Sequence, residues 1–179
     1  MESTNADREP ASLGSLIGRI VAELKNNSST GDIAELRRLD PDHPGAPPFW
    51  RIVVTLLDSS LPSHGNSRAE AIRRWSVILR TLAQMADLHD PRQPLGTGAA
   101  EAGVSEARMV KLLRASEGIL FDSIRMIAHQ LATKGIAVNL ADFARLILSD
   151  GRGDESEVRD RVAYDFYARL HRIEKGEAR

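Results

Sequence analysis

Wherever apolar side chains gather in this chain they recur at intervals of three and four, and no stretch alternates apolar and polar residues at every second position. Helices are therefore what the chain can build. Leu13, Leu16, Ile17, Ile20, Val21 and Leu24 make one amphipathic stripe, ended by the polar run Asn26-Asn27-Ser28-Ser29. A shorter helix is predicted over 31–39. Residues 40–48, DPDHPGAPP, hold four prolines and a glycine and must be an irregular connection. Helix resumes over 49–57, with proline in front, where a missing N–H costs nothing. A loop over 61–66 follows. Ser67 with Glu70 then has capping-box spacing ahead of the stripe Ile72, Trp75, Ile78, Leu79, Leu82 and Met85, which predicts a helix to about residue 88.

The segment HDPRQP, 89–94, interrupts the pattern again and divides the chain into two expected lobes. Beyond it, Ser105 is a fitting N-cap for a long helical pattern over 106–133, broken or bent near Gly118. Asn139 with Asp142 starts a short helix over 140–148. Asp154 with Glu157 starts a last one through Val158, Val162, Phe166 and Leu170. No unit repeats along the chain. The expected fold is all-α, a two-lobed helical bundle: a disordered polar tail over 1–11, an N-terminal helical lobe over 12–93 and a C-terminal helical bundle over 94–175.

At 179 residues the chain can bury a core without crosslinks, and it has no cysteine, which removes disulfides, thiol catalysis and thiolate metal sites. The five histidines, His43, His64, His89, His129 and His171, include no i, i+4 pair, so no metal site is expected. His89-Asp90 reads as a solvated loop pair rather than an oriented base, because neighbouring side chains point apart. The glycines of LGTGAAEAG are not followed by the GK[ST] of a phosphate loop and read as packing and turn glycines, and there is no nucleophile elbow. No enzyme, cofactor or small-molecule substrate is expected. The N-terminus lacks the basic-then-apolar order of a signal peptide and no apolar run is long enough for a membrane span, so the expected location is cytoplasmic, away from membranes.

Net charge is −1 and the isoelectric point about 6.5, so any basic site must be local. Of 24 cationic side chains only Lys25, Lys111, Lys134 and Lys175 are lysines; the rest are arginines, whose forks suit carboxylate and phosphate. On an unbroken helix advancing about 100° per residue, Arg108, Lys111, Arg114, Arg125 and His129 share one face with Gly118, opposite Leu113, Leu120, Ile124, Ile127 and Leu131. A bare glycine among cations lets a phosphate backbone approach closely, although Asp122 lies on the same side. Arg37, Arg38 and Arg51 form a second cluster about the proline loop. Arg73, Arg74 and Arg80 form a third, countered by Glu70 and Asp87. Few aromatics are available for base stacking, so contacts would go to the backbone and carry little sequence information.

The order GDIAELRRL (31–39), a proline-rich loop, PFWRIVVTLL (48–57), LGTGAAEAGVSEARMVKLLRA (95–115), SIRMIAHQL (123–131), VNLADFARLI (138–147) and VAYDFY (162–167) resembles the CasB family. This is the small subunit of the type I-E CRISPR surveillance complex Cascade, an antiviral defence assembly. The resemblance covers most of residues 31–170. It implies an all-helical, non-enzymatic subunit in the belly of Cascade, packed on the CasC backbone near the large subunit CasA and against another copy of itself. There it holds the guide RNA–target DNA R-loop, so both DNA and RNA binding are implied. The family's basic residues match at Arg37, Arg38, Arg51, Arg108, Arg114 and Arg125, while Lys111 joins them through the helical wheel alone. Two places depart from the family pattern: Thr97 stands where an arginine often follows Leu-Gly, and GRGDESEVRDR before the last helix is acidic as well as basic. Two other readings stay open. A helix-turn-helix regulator would need a recognition helix in a short turn, a signature the chain lacks. A helical protein-interaction module would pair these arginines with acids and touch no nucleic acid.

Overall fold

The computed structural model describes residues 12–177, so the tail expected over 1–11 lies outside the described residues. Within them are α1 (Leu13–Asn26), α2 (Thr30–Arg37), α3 (Pro47–Ile52), α4 (Gly65–Met85), α5 (Leu95–Glu101), α6 (Glu106–Arg114), α7 (Glu117–Lys134), α8 (Leu140–Ser149) and α9 (Glu155–Glu174). A π-type turn over Val53–Leu57 continues α3, and short 3-10 turns cover Asp58–Ser60 and Ala86–Leu88. Among the described residues there is no strand, only one isolated bridge between His89 and Val138. The fold is all-α, as the apolar spacing requires.

α4 is the central helix, touching α1, α2, α7 and α8. It buries Trp75, Ile78, Leu79, Leu82 and Met85, and α1 buries the stripe read from the sequence except Leu13, which is partly buried. The buried side chains on either side of 89–94 join in one apolar cluster. The most extensive helix pairing is α5 with α9, and Gly96 makes it possible. A Cβ there would overlap the carbonyl oxygen of Val162 and lie 2.7 Å from the amide nitrogen of Phe166, so the two backbones meet directly. One Cβ at Gly98 would overlap Val138 Cγ1. Of the LGTGAAEAG glycines, Gly96 and Gly98 are packing glycines and Gly103, at φ 72°, is a turn glycine, as expected.

Several caps differ from the sequence expectation. α4 starts at Gly65, and the Ser67 hydroxyl donates to the His64 carbonyl at 3.3 Å instead of capping, while Glu70 pairs with Arg74 at 2.8 Å. Asn139 does cap α8, accepting from the Ala141 amide at 3.1 Å. Asp142, expected to share that work, instead accepts from Leu95 N at 3.0 Å and so holds the start of α5. α2 has a reciprocal capping box between Ser29 and Asp32.

The largest correction concerns the pattern over 106–133. Of the two expectations, broken or bent, it is the break: two helices parted at Ala115-Ser116, just before Gly118, which sits in the first turn of α7. The Asp150 carboxylate, buried beyond the end of α8, accepts from the Glu117 amide at 2.9 Å and so caps α7 from a distant part of the chain. Glu117 takes a left-handed φ of 46°, a strained conformation that packing sustains. Arg159 donates to Asp150 Oδ1 at 2.9 Å and to the carbonyls of Leu113 and Ala115, which tie off the end of α6.

His89 is likewise not a solvated partner of Asp90. It is half-buried, and its Nδ1 accepts from the Leu140 amide at 3.2 Å, while Asp90 holds Arg92. Burial pushes the imidazole below its usual value near 6.5. The ring is neutral in the fold and takes up a proton on unfolding, so its contribution is present above about pH 6.5 and is lost as pH falls through that value. Melting temperature should therefore fall between about pH 7.5 and 5.5, and less steeply in His89→Gln, the other four histidines being exposed; identical pH profiles would contradict this. Gly96→Ala should destabilise the chain by about 2–3 kcal/mol and lower the melting temperature by roughly 5–10 °C in thermal unfolding. A wild-type melting temperature would mean the α5–α9 contact is looser than described.

Candidate nucleic-acid interface

Spacing on two neighbouring helices builds a basic groove. On α4, Val77, Arg80, Thr81 and Gln84 follow i, i+3, i+4, i+7, and on α7 so do Gly118, Phe121, Asp122 and Arg125, with His129 one further turn along. Arg37, the last residue of α2, reaches across and donates from Nε to the Ala83 carbonyl at 2.9 Å, which fixes its guanidinium against α4. The Arg80 Nη1 points at the Leu39 carbonyl, 3.4 Å away. Together Arg37, Arg80, Gln84, Arg125, Met126 and His129 line an open groove of about 640 Å³ with no carboxylate in its wall. The nearest acid contact is Asp122, 3.5 Å from Arg125, an exposed pair of the kind that contributes little.

The structure thus brings Arg37 and Arg125 together but separates the other candidates from them. Arg38 ends α2 beside Arg37, exposed and without a side-chain partner among the described residues, and it does not line the groove. Arg51 forms an ion pair with Asp32 in a cleft also lined by Glu23 and Thr55. Hydrogen bonds from Ser29, then the Arg51 charge, hold the Asp32 carboxyl below its usual value, so Arg51 faces a committed anion. The face proposed for Arg108, Lys111, Arg114, Arg125 and His129 does not exist as one surface, because the break at Ala115-Ser116 ends the helical register. Arg108 donates to Gln130 Oε1 at 2.8 Å, clasping α6 to α7. Lys111 and Arg114 are exposed, without side-chain partners among the described residues.

The third cluster divides by role. Arg74 is mostly buried and donates to the carbonyls of Ile147 and Asp150, each at 2.8 Å, so it ties α4 to the end of α8. Arg73 pairs with Asp42 at 2.6 Å and lies 5.0 Å over the Phe121 ring. Asp87 pairs with Lys25, not with the arginines. Arg80 alone reaches the groove, and it was a member of this set rather than a site candidate. His129 enters it too, and its i, i+4 spacing from Arg125 was the available signal. Among the described residues no group of three or more acids and histidines gathers as a metal site, and no helix is long and apolar enough to cross a membrane.

Two crystal structures share the fold. CasB from Thermobifida fusca superposes with a TM-score of 0.67 at 17% identity, covering 87% of this chain and 97% of that one. CasB from M. ruber gives 0.69 at 21% identity, covering 94% and 100%. No curated protein matches the sequence significantly. The family model for the CRISPR-associated protein Cse2 matches residues 32–167, a span holding every residue that lines the groove. The chain therefore belongs to the CRISPR-associated Cse2 family.

Proposed function

We propose that this chain is the non-catalytic small subunit of a type I-E CRISPR Cascade, a cytoplasmic complex in which it steadies the R-loop through backbone phosphates. The observation that carries this reading is the groove of Arg37, Arg80, Arg125 and His129 with no acid in its wall, on a chain whose net charge is −1. Concentrating cations in one place on a near-neutral protein gives weak, local phosphate binding without general adhesion to nucleic acid. Guide–target pairing replaces one duplex with another of similar stability, so modest contacts to the separated strands shift the balance toward the open form. The carbonyl bonds of Arg37 and Arg80 hold their side chains in place before any strand arrives, which lowers the ordering cost of each contact. Arg38, Lys111 and Arg114 have side chains available for further phosphate contacts. The CasC backbone, the large subunit CasA, the guide RNA–target DNA R-loop and a second copy of the chain are the partners this role requires.

A helical module that binds only proteins would use the same arginines to meet acids, and salt dependence separates the two. Arg125→Gln should lower affinity for single-stranded DNA alike for all sequences and reduce the slope of log K against log salt by about 0.7. Thermal stability and co-purification with the other subunits should be retained. Arg51→Gln, in its acidic cleft, should leave the slope unchanged. Equal slopes for wild type and Arg125→Gln would contradict the phosphate reading.

A further inference from the structure

Beside the open groove lies a second, more enclosed cavity of about 240 Å³ that shares Arg80, Gln84 and Arg125 with it. Its remaining wall is of a different kind. Val77 and Phe121 give it an apolar side, Arg73 stacks 5.0 Å from the Phe121 centroid, and Gly118 leaves an edge open. Charge also divides the two spaces. The open groove has no carboxylate in its wall, whereas Asp42 and Asp122 line the enclosed cavity beside Arg73 and Arg125, their ion-pair partners. Glu70 and Glu117 lie near enough to act on Arg73 as well. A phosphate entering the cavity would meet those acids, while an uncharged planar group would meet a guanidinium–ring stack, an apolar wall and an amide.

We infer that the cavity between α4 and α7 takes an unstacked nucleobase of the same strand whose phosphate lies in the adjoining groove. The inference rests on the phosphate reading above and goes beyond it, since it places a base contact where only backbone contacts were expected. Three physical points support it. Bases released from a duplex stack on aromatic rings and on arginine planes, and the Arg73–Phe121 pair offers such a stack at the cavity wall. The Gln84 amide, shared by both spaces, can donate and accept along a base edge. Gly118 is not required by the fold: a Cβ there would meet nothing within 4 Å. Its bareness keeps that edge of the cavity clear.

Gly118→Leu tests this directly: its Cβ meets nothing within 4 Å and leucine favours helix, and an unchanged melting temperature would check that the fold is retained. Binding of the full chain at low salt would be compared for a short DNA strand and for an abasic strand with the same number of phosphates. Wild type should prefer the base-bearing strand by about five-fold to a hundred-fold. Gly118→Leu should lose that preference while keeping wild-type affinity and salt slope for the abasic strand. Equal wild-type affinities for the two strands, with a normal salt slope, would overturn the base site and leave the phosphate groove standing. A preference that survives in Gly118→Leu would place the base contact elsewhere and equally overturn it. Salt-independent binding, or none, to both strands would overturn the phosphate reading and this inference with it.

Discussion

The arrangement of the α7 side of the groove depends on one buried carboxylate. Asp150, 5% exposed, accepts the Glu117 amide on one oxygen and the Arg159 guanidinium on the other, while its carbonyl receives Arg74. Four helices, α4, α7, α8 and α9, meet there, and Arg159 extends the network to the carbonyls that end α6. Leaving either charge of such a buried pair without its partner costs about 3–5 kcal/mol. That is enough to sustain a strained Glu117 and to hold α6 and α7 as separate helices. Were the two continuous, Arg125 and His129 would follow the register of Arg108 and Lys111. The break frees α7 to lay Gly118, Phe121, Arg125 and His129 against α4.

The same network shows how arginine serves stability in this chain. Arg74 and Arg159 are spent on backbone carbonyls at helix ends, where a planar fork satisfies two acceptors at once. Arg37 and Arg80 also reach carbonyls, but from positions that line an open groove. Under the proposed function these two residues would combine structural anchoring with phosphate contact. Arg51 and Arg73 are held by Asp32 and Asp42, and their charge is largely answered within the chain.

Much of the fold was legible because helical periodicity is local. The buried stripe of α1 and that of α4 were read directly, as were the packing glycines of α5. What escaped was set by contacts between distant positions. Asp150 caps α7 from 33 residues away, and Arg74 meets Ile147 across 73. No local pattern signals such partners, so the break was placed at Gly118, the residue with the weaker helix preference. The Ser67-Glu70 spacing failed for the opposite reason: it is a sound local cap that lost to an earlier start at Gly65. Of the candidate cations, Arg37 and Arg125 meet in the groove because α2 and α7 both pack on α4, which sequence spacing does not encode.

The proposed role of this Cse2-family chain stands or falls on whether phosphate contacts lie in the groove between α4 and α7. The most direct measurement is an NMR titration of the arginine Nε–Hε resonances with a short single strand. The account predicts that Arg37, Arg80 and Arg125 shift together and saturate together, while Arg51, Arg74 and Arg159 stay in place. Shifts confined to Arg51, or to Arg108 and Arg114 on α6, with the groove arginines unmoved, would contradict it.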